Sequence, residues 1–171
     1  MLEDISPLQV VSDYFGPMGF VWLVPGLLGG TARPGLSASL DGDLAALARV
    51  GTRLLVSLTE EWQPDADAVS AHGMESLHVP IPDRMPPDMA QAALICREVD
   101  RRIEAGQAVV HHCHAGKGRT GTALVAQLIW RGFDPTEALT KARRRNSRWV
   151  ESPEQEDFLH RFGQEVRRVR G

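Results

Sequence analysis

One segment in the second half of the chain constrains the fold more than any other. Ala108–His112 is a short, largely apolar run typical of a buried strand, and an apolar helix is predicted over 120–130. The loop between them contains Gly116 and Gly118, which let the backbone bend so that successive N–H groups converge. The helix adds the positive end of its dipole at the same point. The segment therefore predicts a cradle for a tetrahedral anion.

The remaining pattern alternates strands with helices. A hairpin is predicted over 20–30, followed by apolar strands at 53–58 and 76–81. Helical spacing marks 39–50, 88–105, 135–145 and 153–169, and closely spaced prolines make 80–87 a stiff loop. This order predicts an α/β fold with a central mixed, mostly parallel sheet of about four to five strands flanked by helices. In such sheets the functional site lies at the carboxyl ends of the central strands.

Length and composition favour a single domain. The 171 residues fit one domain over 1–171, with an N-terminal extension over 1–19 and a core over about 20–165. No apolar run approaches the roughly 20 residues of a membrane span, and Glu3 and Asp4 are unlike the start of a secretory signal. With only two cysteines, a disulfide framework is not indicated. We expect a cytoplasmic monomer.

The anion cradle begins with a nucleophile. Cys113 opens the loop, where converging N–H groups would stabilise a thiolate. Arg119 carries a planar fork that can hold two phosphate oxygens while the sulfur faces the phosphorus. Thr120 can donate a hydrogen bond to the sulfur, and His112 is expected to order the loop from behind. The predicted phosphate-binding residues are those of the loop itself: His114, Ala115, Gly116, Lys117, Gly118 and Arg119.

Other interpretations of the same segment fit less well. The spacing Gly116-x-Gly118-x-x-Gly121 matches a dinucleotide fingerprint, but no second strand with a terminal acidic residue follows at the required distance. A nucleotide-binding P-loop would need Ser or Thr where Gly118 stands. The consecutive residues 111–114 cannot close around one metal ion, because neighbouring strand side chains point to opposite faces. No cofactor and no metal are therefore expected.

Two further functional classes fit the sequence less well. The arginine-rich C-terminal region could attract nucleic acid, but the net charge is −3 and no aromatic residues are interleaved with the arginines, so no nucleic-acid partner is expected. A non-catalytic module that only recognises phosphorylated partners remains as an alternative. It would not need a cysteine, an arginine and an upstream carboxylate together.

The motif His112-Cys113-x5-Arg119-Thr120-Gly121 resembles the signature loop of the protein tyrosine phosphatase superfamily, in particular its small atypical dual-specificity branch. The similarity extends from about residue 20 to 162. It implies a phosphatase that forms a phosphocysteine, with Asp83 as general acid on the proline-rich loop. It also implies that Gln155 orients the attacking water, although a glutamine in the first turn of a helix is more often a surface residue. Glu60, which follows the strand at 53–58, is a candidate ion-pair partner of Arg119.

The substrate class stays open between two alternatives. The resemblance implies a protein phosphotyrosine, phosphoserine or phosphothreonine substrate. His114 and Lys117, however, add positive charge around the phosphate, and similar loops occur in relatives that act on phosphoinositides or inositol phosphates. These phosphates are therefore the alternative substrate class.

Overall fold

A computed structural model describes residues 16–171 of the chain. The strands are β1 (Val21–Val24), β2 (Leu28–Thr31), β3 (Thr52–Thr59), β4 (Glu75–Ile81) and β5 (Ala108–His112). The helices are α1 (Leu40–Arg49), α2 (Ala66–Ala71), α3 (Met89–Glu104), α4 (Gly118–Trp130), α5 (Pro135–Arg145) and α6 (Pro153–Arg170).

The five strands form one sheet in the order β1-β2-β5-β3-β4. β1 pairs antiparallel with β2, and the other neighbouring strands run parallel. The predicted mixed, mostly parallel sheet is thus confirmed. β5 lies at its centre, and Ser57 of β3 is in register with His112 of β5, so both strands deliver their carboxyl ends to the same edge.

Both faces of the sheet are covered, because successive strand residues point to opposite sides. Val109 packs into a core built with α3, α4, α5 and α6. Ala108 and Val110 face the opposite core, which contains Leu44 and Leu47 of α1. Helix α4 is buried along nearly its whole length and contacts α3, α5, α6 and the strands beneath it. This packing fixes the loop between β5 and α4 from below.

Two helix assignments differ from the sequence prediction by more than one residue at an end. The short helix α2 was not predicted, because its six residues bury only Val69 and give little periodic signal. Helix α4 begins at Gly118, earlier than the predicted 120, so Arg119 belongs to its first turn. The N-terminal N–H groups of α4 therefore lie within the signature loop itself.

Residues 1–15 of the predicted N-terminal extension lie outside the described residues. Over residues 16–171, no helix combines the length and apolar character needed to span a bilayer.

A buried histidine in β5 makes folding stability depend on pH. His111 is 0% exposed, and neither of its ring nitrogens has a hydrogen-bond partner among the described residues. Burial, with a smaller effect from His112, lowers its pKa from 6.5 to about 3. Between these values the unfolded chain binds a proton that the native chain does not, so the free energy of unfolding falls as the pH drops below 6.5.

We expect the titration of His111 to lower the free energy of unfolding by about 2 kcal/mol between neutral pH and about pH 5. His111→Leu should reduce this loss, because leucine does not titrate, whereas His160→Gln, a change at an exposed histidine, should leave it unchanged. Urea denaturation of the three proteins at both pH values measures the difference. An equal pH dependence in all three would contradict the prediction.

Candidate active site

The signature loop requires a glycine at its closest approach to β2. Gly116 has φ of +75°, and a Cβ added there would lie 2.6 Å from the backbone N of Ala32 and the carbonyl C of Thr31. A side chain at this position would strain the backbone and collide with immovable backbone atoms. Residues 114–117 donate no backbone hydrogen bond to another described protein group, so their N–H groups are free to bind an anion.

Trp149 holds the same loop from the other side. It is 0% exposed, and its indole Nε1 donates a hydrogen bond of 3.1 Å to the carbonyl oxygen of Gly116. A Cβ on Gly121 would lie 2.5 Å from the Trp149 Cβ, so α4 and Trp149 pack without space for a side chain between them. Arg143 secures this segment by donating to the carbonyl oxygens of Trp149 and Val150.

Cys113 lies at the base of the loop and is 3% exposed. Thr120 Oγ1 donates a hydrogen bond of 3.0 Å to Cys113 Sγ. The Thr120 hydroxyl is thus in place to donate to the sulfur. Cys96, the other cysteine, is buried in α3, where burial raises the pKa of its thiol. Of the two cysteines, Cys113 belongs to the signature loop and Cys96 does not.

His112 links the loop to β3. Its Nδ1 lies 3.1 Å from the Cys113 carbonyl oxygen and must donate, because a carbonyl only accepts. Burial, and to a lesser degree the charge of Arg119, lower its pKa to about 4, so the ring is neutral near pH 7. Nε2 then accepts from the Ser57 hydroxyl at 2.6 Å. The ring orders the loop without contributing charge.

Arg119 is fixed by a carboxylate that sequence reasoning missed. Its two terminal nitrogens donate hydrogen bonds of 3.0 and 2.9 Å to the two oxygens of Glu61, and Nη1 also donates to the Ile81 carbonyl oxygen. The hydrogen bond from Arg119 lowers the pKa of Glu61 to about 2, so the pair is charged at neutral pH. The predicted partner, Glu60, was wrong by one position, because Glu61 makes the bidentate contact.

The proline-rich loop brings Asp83 to the site. Asp83 Oδ1 lies 3.6 Å from Arg119 Nη2, and its side chain is 79% exposed. The adjacent Arg84 has φ of +64°, and its carbonyl oxygen accepts a hydrogen bond of 2.7 Å from the Ser152 hydroxyl. The loop is thus tied to the start of α6 while Asp83 faces the mouth of the site.

Gln155 connects the acid loop with the signature loop. It is 0% exposed, so the alternative of a surface residue was wrong. Its Oε1 accepts from the backbone N of Glu151 and Ser152, and its Nε2 donates to the Met85 carbonyl oxygen at 3.4 Å. A Cβ on Gly118 would lie 3.0 Å from the same Nε2. The amide of Gln155 therefore lies directly against the loop that would hold a phosphate.

The rim of the site is basic. His114 and Ala115 are exposed, whereas Lys117 is half-buried and Gly118 is buried. Neither His114 nor Lys117 has an acidic partner among the described residues. Within the described chain, no cluster of three or more His, Cys, Asp or Glu side chains has an arrangement suited to a metal ion.

Comparison with known proteins agrees with this geometry. The family model described as "Polymorphic toxin system, DSP-PTPase phosphatase" matches residues 29–133, more than half of the chain. The crystal structure of Tk-PTP in the active form is 32% identical, with a TM-score of 0.76 over 85% of this chain and 96% of that chain.

More distant relatives share the fold or part of the sequence. PTPMT1 in complex with PI(5)P is 19% identical, with a TM-score of 0.78 over 89% of this chain and 99% of that chain, and shows the fold alone. Cyclin-dependent kinase inhibitor 3 from Sus scrofa is 27% identical over 99 residues, or 56% of this chain and 47% of that protein. The chain thus matches about half the length of this curated relative.

The chain belongs to the DSP-PTPase phosphatase family, within the small atypical dual-specificity branch of the protein tyrosine phosphatases.

Proposed function

We propose that this phosphatase hydrolyses phosphorylated tyrosine, serine or threonine in proteins through a phosphocysteine at Cys113. The convergence of the two loops supports this most directly: Asp83 lies 3.6 Å from Arg119, and Thr120 donates to the Cys113 sulfur 3.0 Å away. Nucleophile, phosphate-binding fork and acid are thus within reach of one phosphate group.

In the first step, the Cys113 thiolate attacks phosphorus and forms the S–P bond while the P–O bond to the leaving group breaks. Asp83, protonated at this stage, gives its proton to the leaving oxygen. Arg119 and the free N–H groups of residues 114–117 stabilise the charge on the equatorial oxygens. Because Glu61 already fixes the guanidinium, little reorganisation is needed when the phosphate arrives.

In the second step, water attacks phosphorus and the S–P bond breaks, which releases inorganic phosphate and the thiolate. Asp83 accepts the proton of the water, and the Thr120 hydroxyl stabilises the departing sulfur. Gln155 is proposed to orient the water, because its amide lies against Gly118 at the edge of the loop.

Asp83→Asn is expected to slow turnover about 10²-fold or more on alkyl phosphates and much less on p-nitrophenyl phosphate. The physical reason is that a poor leaving group needs the proton, whereas p-nitrophenolate leaves without it. A series of aryl and alkyl phosphates measures the dependence of kcat on the leaving group. The matched control is Asp88→Asn, because Asp88 caps α3 and asparagine caps equally well. Equal slowing across the series would contradict the role of Asp83 as acid.

Phosphoinositides or inositol phosphates are the second candidate substrates. Lys117 and the basic side chain of His114 lie at the rim without an acidic partner among the described residues, which favours a substrate with several anionic groups. One panel of phosphotyrosine peptide, phosphothreonine peptide, phosphoinositide and inositol phosphate tests the choice through kcat/KM. A preference of more than about tenfold for the inositol compounds would overturn the protein-substrate proposal.

The proposed chemistry also favours a reducing compartment such as the cytoplasm, since Cys113 acts only as a free thiolate. Both cysteines are free in the structure.

A further inference from the structure

A further cationic group, Arg33, lies beside the signature loop and has no role in the proposed phosphate chemistry. Arg33 follows β2, and its backbone N donates a hydrogen bond of 3.0 Å to the carbonyl oxygen of His114. The preceding residues, Thr31 and Ala32, are the backbone that approaches Gly116 most closely. The segment that carries Arg33 therefore lies directly against the loop that holds the phosphate.

The Arg33 side chain is held in place by an aromatic ring. Its guanidinium carbon lies 4.5 Å from the centroid of the Trp62 ring, in cation–π geometry. Trp62 in turn packs edge-on against His112, with ring centroids 5.8 Å apart. Trp62 also directly follows Glu61, the partner of Arg119. The stacked pair is thus connected to both the loop and the arginine fork of the site.

Arg33 lacks the partners that a partly buried arginine usually has. Its Nε is buried without a hydrogen-bond partner, and within residues 16–171 no carboxylate forms an ion pair with its guanidinium. Glu61, the nearest acid along the chain to Trp62, is already engaged by both terminal nitrogens of Arg119. A charged, oriented guanidinium that has no carboxylate partner and lies beside an anion site is suited to bind a second anion.

The surroundings favour a peptide as the carrier of that anion. Met18 and Met85 are 51% and 44% exposed, although most large apolar side chains of the chain are buried. The Met18 carbonyl accepts from Ala32 N beside Arg33, and Met85 belongs to the loop of Asp83. Exposed methionines offer adaptable apolar contacts to a peptide, whereas an inositol ring presents hydroxyl groups on every side.

We propose that Arg33, stacked on Trp62, binds a second anionic group, a carboxylate or phosphate, on a residue that neighbours the phosphorylated residue of a peptide substrate. The inference rests on the proposed function of Cys113 and specifies which phosphopeptides the site prefers. Since Arg33 contacts the loop through its backbone, replacing its side chain leaves the hydrogen bond to His114 in place.

The test compares a phosphotyrosine peptide flanked by alanine with peptides that carry aspartate at each neighbouring position in turn. We expect at least one aspartate peptide to exceed the alanine peptide about five- to tenfold in kcat/KM, mainly through KM, because the second anion lies away from the reacting phosphorus. Arg33→Ala should remove this preference, and Arg33→Lys should restore only part of it, since lysine keeps the charge without the planar fork. Arg161→Ala, at an exposed arginine of α6, is the matched control and should keep the preference.

A preference that persists in Arg33→Ala, or is absent from the wild-type chain, would overturn the proposal. The test also includes a soluble inositol bisphosphate. If Arg33→Ala lowered kcat/KM for that compound and left the values for the peptides unchanged, the second anion would belong to an inositol phosphate headgroup, and the proposal would be overturned. Binding of the same peptides to Cys113→Ser, with and without Arg33→Ala, gives a measure that needs no turnover. A failure of the phosphocysteine chemistry is therefore distinguishable from a failure of the role of Arg33.

Discussion

Cys113→Ser is expected to reduce kcat on p-nitrophenyl phosphate about 10⁴-fold or more. The Cys113 sulfur lies at the base of the loop, 3.0 Å from the Thr120 hydroxyl, where free N–H groups and Arg119 favour a negative charge. A serine hydroxyl remains protonated in the same position, and His112 is not placed as its base, because its Nδ1 donates to the Cys113 carbonyl oxygen and its Nε2 accepts from the Ser57 hydroxyl. The nucleophile is thus lost while the phosphate cradle is kept.

Retained binding is the second part of this prediction. Cys113→Ser should still bind phosphate analogues, because Arg119 and the loop N–H groups are unchanged. Calorimetric titration with phosphate measures this, and Cys96→Ala is the matched control, since Cys96 is buried in α3 away from the loop. Undiminished turnover in Cys113→Ser would contradict the covalent mechanism. Turnover of the wild-type chain that a chelator inhibits and vanadate does not would contradict it independently.

Arg119→Lys is expected to lower kcat/KM about 10³-fold. Arg119 is 2% exposed, and its fork is aligned by bidentate contact with Glu61 and by the Ile81 carbonyl oxygen. Lysine keeps one positive charge but cannot face Glu61 and two phosphate oxygens with fixed geometry. Steady-state kinetics measure the loss, and thermal unfolding of the variant separates it from a failure to fold. A loss below about tenfold would show that charge alone suffices.

The contact between Arg119 and Glu61 provides a matched pair of variants. Glu61→Gln should lower kcat/KM about tenfold, because the guanidinium loses its charged anchor. Glu60→Gln removes the same charge one residue earlier and should have little effect, since Glu60 is exposed and Glu61 makes the contact. Equal effects of the two substitutions would indicate that only the local negative charge matters.

Local features of the sequence were sufficient to predict the sheet, most of the helices and the signature loop. The apolar run of β5, the glycines of the loop and the helical spacing of α4 lie within one short stretch, so their local chemistry indicates a strand, an anion cradle and a helix. The prolines around Asp83 likewise indicate an irregular loop. These predictions depend only on residues that are adjacent in the sequence, so the sequence is sufficient to make them.

The tertiary structure alone decided which side chains support the site. Glu60 and Glu61 both follow β3, and their directions depend on the turn in which the Thr59 hydroxyl donates to the Trp62 carbonyl oxygen. Trp149 donates a hydrogen bond to Gly116, and Gln155 donates one to Met85. Each pair is far apart along the chain, so only folding brings the two residues together. The pairing of Arg33 with Trp62 arises in the same way, between the ends of two strands. The sequence by itself determined the signature loop and its candidate nucleophile, because both are local. Their orienting partners had to come from the structure, because side-chain direction beyond a strand end is set by packing rather than by periodicity.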